Sequence, residues 1–160
     1  MVSVAKCKTC NHQGNTVGLL TLQSLLKLEQ LPRLNSQYEY YFCDTPDCDV
    51  VYFSPALNEY FSKADVKIQV GIKENTTPRL ACYCFNFTKE TILAEIIAQG
   101  ATSIPSHIKT AIKATGCDCE SKNPSGRCCL SEITQIIRNT QSSLPSNCAV
   151  KSLPQINCCK

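Results

Sequence analysis

The sequence predicts an α+β fold built from two small modules, the first of ββ/α type and the second helical. Segments rich in aromatic and β-branched residues lie in the first half of the chain, and segments with helical periodicity lie in the second. The chain also has 13 cysteines among its 160 residues, and they fall in groups between these segments. Because such small modules bury little apolar surface, we expect cross-links or metal ions to stabilise them.

The thiols can serve either as disulfides or as metal ligands. Disulfides form in oxidising compartments, whereas cytosolic thiols stay reduced and are available to metals. The chain opens with MVSVAK and reaches Cys7 without the apolar run of a secretory signal. No segment approaches the roughly 20 apolar residues of a membrane span. The sequence therefore predicts a cytoplasmic protein without membrane insertion, and its odd cysteine count fits complete disulfide pairing poorly.

Charge and histidine content argue against two functional classes. The net charge is +3, and the Lys and Arg residues are scattered, whereas nucleic-acid-binding proteins present a basic patch. A zinc-ribbon interaction module for nucleic acid is therefore disfavoured. The two histidines, His12 and His107, have no partner at a spacing that would indicate a general base or an activated nucleophile. We expect a protein that is not an enzyme.

The first module, residues 1–79, is predicted to contain one helix and three strands. Residues 21–31 have apolar side chains at helical spacing, and Pro32 follows as a stop. Three segments rich in aromatic and β-branched residues are predicted to be strands: residues 38–43, 49–54 and 66–72. The polar residues 73–79 mark the boundary to the second module.

The second module, residues 80–139, is predicted to be helical. Three segments have apolar residues at helical spacing: residues 88–100, 104–116 and 131–139. Thr88 and Ser131 are suitable N-caps, and Gly100 and Gly116 are suitable residues after the last turn. The side chains predicted to face inward are Ile92, Ile96, Ile97, Ile108, Ala111, Ile112, Ile133, Ile136 and Ile137. Residues 140–160 are polar and interrupted by proline, which predicts a flexible, cysteine-containing tail.

Two cysteine pairs in the first module have the spacing of zinc knuckles, CKTC at 7–10 and CDTPDC at 43–48. A structural zinc ion takes four ligands at tetrahedral corners, and each knuckle supplies two. The predicted zinc ligands are Cys7, Cys10, Cys43 and Cys48. Four thiolates complete the coordination, so the ion would be structural. The alternatives are four ordinary thiols, two disulfides, or replacement of one sulfur by His12.

Six further cysteines lie in the second module, as CYC at 82–84 and in GCDCESKNPSGRCC at 116–129. A 2Fe-2S cluster takes four thiolates, two per iron, and helix boundaries can offer backbone N–H groups to its sulfides. The second module is therefore predicted to bind 2Fe-2S. A second zinc ion is the alternative, because sulfur-only sites suit both.

The motif CYCFNFTKETI, followed after about thirty residues by a cysteine cluster and a helix, resembles the 2Fe-2S-binding domain of bacterioferritin-associated ferredoxins. Those domains have CxxC in the second cluster, whereas eight residues separate Cys119 from Cys128 here. Together with FCDTPDCDVVYFS, VKIQVGIKE and NPSGRCCL, CYCF is similar to the N-terminal, zinc and 2Fe-2S half of CopZ-type copper chaperones, over residues 5–138.

This resemblance implies that Cys82 and Cys84 are cluster ligands, joined by one of Cys117 or Cys119 and one of Cys128 or Cys129. We favour Cys119 and Cys128, which begin and close the CESKNPSGRC loop. Chaperones of this type normally end in a heavy-metal-associated domain, and the residues after Arg138 are too few for one. We therefore expect this domain to be lacking.

Three cysteines of the predicted tail, Cys148, Cys158 and Cys159, are a candidate soft-metal site for Cu+ or mercury, because soft thiolates select such ions. Incidental thiols in an unstructured tail are the alternative. The functional hypothesis is a metal-handling accessory protein with 2Fe-2S as a one-electron centre and a copper-transporting ATPase or a redox protein as partner. The alternative is a ferredoxin-like electron carrier for a larger redox protein, which needs only residues 80–139.

Overall fold

Residues 5–144 are the part of the chain that the computed structural model describes. Within them, the strands and helices are β1 (Asn15–Val17), α1 (Leu19–Leu25), β2 (Tyr40–Phe42), β3 (Val50–Ser54), β4 (Glu59–Ser62), β5 (Leu80–Cys82), β6 (Phe87–Thr88), α2 (Lys89–Gln99), α3 (Ile104–Thr115), α4 (Cys119–Lys122) and α5 (Leu130–Ser143). We refer to residues 5–79 as the sheet unit and to residues 80–144 as the helical unit. Most of the predicted tail, with Cys148, Cys158 and Cys159, lies outside the described residues.

The sheet unit is built on a four-stranded antiparallel meander in the order β1-β2-β3-β4. All residues of β3 are buried, because this strand lies inside the sheet and both of its faces are covered. Successive side chains point to opposite faces of a strand. Tyr52 thus packs with Leu22 and Leu26 beneath α1, and Phe53 packs on the other face beside Cys7. This second face supports the cysteine knuckles.

The helical unit consists of the β5–β6 hairpin and four helices around one apolar cluster. Thr88 caps α2 by accepting a hydrogen bond from the N–H of Thr91 (3.2 Å), and Gly100 ends the helix with a φ of 75°. The predicted positions of these caps are confirmed. The buried isoleucines of this core are Ile92, Ile96, Ile104, Ile108, Ile133 and Ile137.

Several details of the helix prediction are wrong. Ile97 is 72% exposed, because it lies on the outer side of α2 and not beside Ile96 in the core. Cys129, not Ser131, occupies the N-cap position of α5, which extends to Ser143 and so beyond the predicted end at residue 139. In the sheet unit α1 ends at Leu25, and a separate 3-10 helix, Leu28–Arg33, contains the predicted stop, Pro32.

The strand prediction is right for β2 and β3 but wrong for residues 66–72. Val66 makes only an isolated bridge with Leu26, and Gly71–Lys73 is a 3-10 turn. A Cβ atom at Gly71 would lie 2.0 Å from the carbonyl oxygen of Leu80, so this backbone packs directly against β5 and does not pair as a strand. The short strands β1 and β4 were not predicted. No helix among the described residues is long and apolar enough to cross a lipid bilayer.

Candidate metal centres

The four cysteines of the two knuckles converge in one cluster. The Sγ atoms of Cys7, Cys10, Cys43 and Cys48 all lie within 4.8 Å of one another. The separation is 3.9 Å between Cys7 and Cys48 and 3.6 Å between Cys10 and Cys43. Sulfurs at about 2.3 Å from a zinc ion at tetrahedral corners are about 3.8 Å apart. The donor set therefore fits zinc in both chemistry and size.

Each knuckle is a tight turn at the edge of the sheet unit. In the first, the N–H of Asn11 donates to the carbonyl of Cys7 (2.7 Å), and the N–H of Cys7 donates to the carbonyl of His12 (2.8 Å). In the second, the N–H of Cys48 donates to the carbonyl of Thr45 (3.2 Å) just before β3. The His12 side chain is exposed and is not in the four-sulfur group. These backbone hydrogen bonds hold the two turns that orient the sulfurs.

The thiols of this cluster differ in acidity. Burial opposes ionisation of Cys10, but hydrogen bonds from the Thr45 side chain and the His12 backbone lower the pKa of Cys10 to about 6. Burial raises the pKa of Cys48 to about 12. A metal ligand must be a thiolate. A bound cation therefore has to stabilise the deprotonated form of the more buried sulfurs.

Lys73 supplies a positive charge beside the second knuckle. The side chain is only 2% exposed, and its ammonium donates to the carbonyls of Thr45 (2.7 Å) and Cys48 (3.0 Å). Burial raises the pKa of Cys43, and the charge of Lys73 acts in the opposite direction. Lys73 belongs to the polar residues 73–79, and nothing in that sequence distinguishes a buried lysine from a solvent-exposed one. We therefore assigned Lys73 to the boundary between the modules. The fold makes it part of the site.

Four of the six cysteines of the helical unit lie in two close pairs. The Sγ atoms of Cys82 and Cys129 are 2.9 Å apart, and those of Cys84 and Cys119 are 3.5 Å apart. Cys82 ends β5, Cys84 lies in the turn after it, Cys119 begins α4 and Cys129 stands at the N-cap of α5. Three of these four side chains are buried, and Cys84 is partly exposed. The two thiol pairs thus form where the end of β5 meets the starts of α4 and α5.

Cys128 and Cys117, the remaining two, are partly buried and pack against the same core. Hydrogen bonding to Cys128 raises the pKa of Cys119, and contacts with Cys119, Cys128 and Cys82 raise that of Cys129. The Cys129 contact lowers the pKa of Cys82 to about 7. Of the predicted set, the structure therefore brings Cys82, Cys84 and Cys119 into close pairs. It places Cys129, an alternate, closest to Cys82.

A cavity of about 570 Å³ is lined by residues of both units. Its walls include His12 and Asp44 from the sheet unit and Lys89 and Glu132 from the helical unit. Burial raises the pKa of Glu132 to about 7, the charge of Cys82 acts in the same direction, and Lys89 opposes both. No sequence motif singled out Glu132, because its acidity depends on the packing of α5 against the hairpin.

Comparison with known proteins identifies the knuckles. Residues 4–67 match a family model, the CopZ-type zinc binding domain. The match spans all four cysteines of the two knuckles, so this part of the chain is similar to that zinc binding domain. The predicted resemblance is confirmed at this level, and so is a mixed α and β fold with an antiparallel sheet.

Two matches from Archaeoglobus fulgidus, one to a sequence and one to a solved structure, extend the similarity beyond this domain. The chain is 31% identical over 128 residues to the copper chaperone CopZ, a match that covers 78% of this chain and 57% of that protein. It is also similar to the crystal structure of the CopZ N-terminal domain, with a TM-score of 0.68 and 29% identity over 82% of this chain and 97% of that one. The chain thus spans little more than half of the chaperone and nearly all of the solved domain.

Proposed function

We propose that this protein is a cytoplasmic iron-sulfur and zinc metalloprotein that takes part in copper handling and is not an enzyme. The observation that carries the proposal is the presence of two separate thiol clusters in one chain, one of tetrahedral zinc dimensions and one made of pairs. Similarity to a protein named as a copper chaperone supports copper as the cargo.

The zinc ligands in this proposal are Cys7, Cys10, Cys43 and Cys48, whose mutual distances suit one ion. Four sulfur ligands leave no open coordination position for water or substrate. The zinc ion is therefore structural. Its binding free energy contributes directly to folding of the sheet unit, because the thiols are brought together only in the folded chain.

The 2Fe-2S ligands in this proposal are the pairs Cys82 with Cys129 and Cys84 with Cys119. A binuclear cluster requires two thiolates at each iron, which is an arrangement of pairs. A second zinc ion would require a compact tetrahedral set. Within residues 5–144, only the sulfurs of the first site form a group of three or more ligand atoms that all lie within 4.8 Å of one another. The pairing thus favours iron-sulfur over zinc in the helical unit.

Copper handling combines redox chemistry with thiolate binding. A 2Fe-2S cluster held by these two cysteine pairs would, when reduced, supply one electron, the amount that converts Cu(II) to Cu(I). Soft thiolates then retain Cu(I). Cys148, Cys158 and Cys159 are the thiols assigned to this step, and they lie outside the described residues. A redox protein would reduce the cluster, and a copper-transporting ATPase would receive the ion.

Metal analysis with a visible spectrum of the aerobically purified protein tests the metal content. We expect about two irons and one zinc per chain, with the absorption of an oxidised 2Fe-2S cluster. A colourless protein with two zinc ions per chain would overturn the iron-sulfur assignment. A variant with Cys129 replaced by serine should lose iron and keep its zinc, which would separate the two sites.

A Cu(I) competition experiment with bathocuproine tests the cargo. The full chain should bind Cu(I) more tightly than the triple variant C148S/C158S/C159S, while both retain the same zinc content. Equal Cu(I) affinity of the two proteins would contradict the proposal that Cys148, Cys158 and Cys159 retain copper. A normal 2Fe-2S spectrum together with that result would leave the protein as an electron carrier.

A further inference from the structure

The loop between Cys119 and Cys128 lies on the sheet unit. Thr21 in α1 donates a hydrogen bond from its hydroxyl to the carbonyl of Glu120 (2.6 Å). Tyr52 in β3 donates from its hydroxyl to the carbonyl of Pro124 (2.8 Å). Both donor side chains are completely buried. The sheet unit therefore satisfies two backbone carbonyls of the loop that carries the second pair of predicted cluster ligands.

Gly126 brings the same loop into direct backbone contact with the sheet unit. Its φ is +67°, and a Cβ atom there would lie 2.7 Å from Thr21 Oγ1 and 3.2 Å from Val17 Cγ2. A side chain at this position would push the loop away from α1 and β1. Glycine thus permits both the left-handed conformation and the close approach.

The loop is held rigid by Asn123, which is 2% exposed. Its amide nitrogen donates to the carbonyl of Arg127 (2.9 Å), and its amide oxygen accepts from the N–H of Ser125 (3.0 Å). The backbone N–H of Asn123 also donates to the carbonyl of Cys119 (2.8 Å). Because the loop is internally braced, contacts at Glu120 and Pro124 determine where its terminal cysteines lie.

The CYC segment is tied to the sheet unit as well. The N–H of Gly71 donates to the hydroxyl of Tyr83 (2.8 Å), and Tyr83 stands between Cys82 and Cys84. Gly71 is two residues from Lys73, whose ammonium bonds the knuckle carbonyls. Both segments that carry the thiols of the helical unit thus have anchors on the sheet unit.

From these contacts we infer that the sheet unit is the template that positions the thiols of the helical unit, with Tyr52 and Thr21 as its positioning residues. This inference rests on the 2Fe-2S assignment proposed above and adds a role for the zinc binding domain beyond its own stability. The hydroxyls of Tyr52 and Thr21 act through the loop and touch no thiol pair. Their removal should alter the second thiol cluster while leaving the zinc content unchanged.

The matched pair Tyr52→Phe and Tyr40→Phe tests the inference. Both tyrosines are buried in the sheet unit, but Tyr40 accepts its hydrogen bond from Asn35 (2.9 Å) in the same unit. Y52F should release iron to a chelator roughly three- to tenfold faster than wild type, and its visible circular dichroism should change. Y40F should lower the melting temperature with no change in iron release or in the visible signal.

A second pair avoids dependence on one variant. Thr21→Val removes the hydroxyl at constant shape, and Thr21→Ser retains it, so T21V should reproduce Y52F and T21S should rescue it. In iron-free, zinc-loaded protein, alkylation of the buried Cys119 should be faster in Y52F and T21V than in Y40F and T21S. Equal alkylation in all four variants would overturn the template inference. Absence of iron from the wild type would instead overturn only the proposed cluster, because alkylation still tests the template.

Discussion

The ammonium of Lys73 lies 3.0 Å from the carbonyl oxygen of Cys48, in the interior of the protein. A buried charge is costly unless hydrogen bonds and opposite charge compensate it. Here the carbonyls of Cys48 and Thr45 accept its protons, and a zinc ion with four thiolates nearby would carry net negative charge. The knuckle and the lysine therefore stabilise each other.

Replacing Lys73 with methionine should weaken zinc binding and destabilise the protein. The variant keeps most of the apolar stem but leaves two carbonyls without their donor, which should lower the free energy of unfolding by about 2–3 kcal/mol. Chelator competition for zinc and urea unfolding of the zinc-loaded protein measure the two effects. Lys63→Met is the control, because Lys63 is exposed and its ammonium donates to the Lys73 carbonyl at the long distance of 3.5 Å. Equal zinc affinity in both variants would contradict the role given to Lys73.

Glu132 should make stability depend on pH. Its pKa is raised to about 7 from the ordinary glutamate value of 4.5, so the folded protein favours the protonated carboxyl. The folded state then binds more protons than the unfolded state between these values, and the stabilisation is lost as pH rises through about 7. Glu132→Gln should match wild type near pH 4.5 and exceed its free energy of unfolding at pH 8 by about 3 kcal/mol. Urea unfolding at the two pH values measures this difference.

The exposed Glu29→Gln is the control for that experiment, and it should follow wild type at both pH values. A difference between E132Q and wild type that stays constant from pH 5 to pH 8 would show that the carboxyl does not titrate in this range.

Alanine substitution of two glycines with left-handed backbone conformation distinguishes the cost of backbone strain from the cost of displacing the loop. Gly100 and Gly126 have φ values of 75° and 67°, but only Gly126 has atoms within 4 Å of the position of an added Cβ. Gly100→Ala should cost about 1 kcal/mol from the left-handed conformation alone. Gly126→Ala should cost about 2–3 kcal/mol, because it also forces the loop off Thr21. Thermal unfolding compares the variants, and equal losses would mean that the contact with α1 adds nothing.

The parts of the molecule that sequence predicts well are those encoded within a few residues. The cap at Thr88 and the stop at Gly100 belong to one helix, and their positions are confirmed. The knuckle spacing is also local, and the similarity of residues 4–67 to a zinc binding domain supports the prediction made from it. The strand prediction for residues 66–72 is wrong, because an alternation of polar and apolar side chains does not show whether a neighbouring strand is available for pairing. Lys73 was missed because its burial depends on a knuckle far away in sequence.

Adjacent cysteines present the same difficulty at the second cluster. Cys128 and Cys129 are equivalent in any spacing argument, and the sequence favoured Cys128. The start of α5 turns the Cys129 side chain into the core beside Leu130, where it is completely buried, and leaves Cys128 partly exposed. The choice between them therefore depends on the rotation of one helix about its axis, which a motif does not encode.

Serine substitution at each position tests this choice. Cys129→Ser removes the sulfur that lies 2.9 Å from Cys82, so we expect the variant to lose most of its iron and its visible absorption. Cys128→Ser should retain about two irons per chain, because Cys129 and the pair of Cys84 with Cys119 remain. Both variants should keep one zinc ion, which serves as the internal control for folding. A colourless C128S protein beside a coloured C129S protein would assign the ligand to Cys128, because the sulfur that cannot be removed is the one that binds iron.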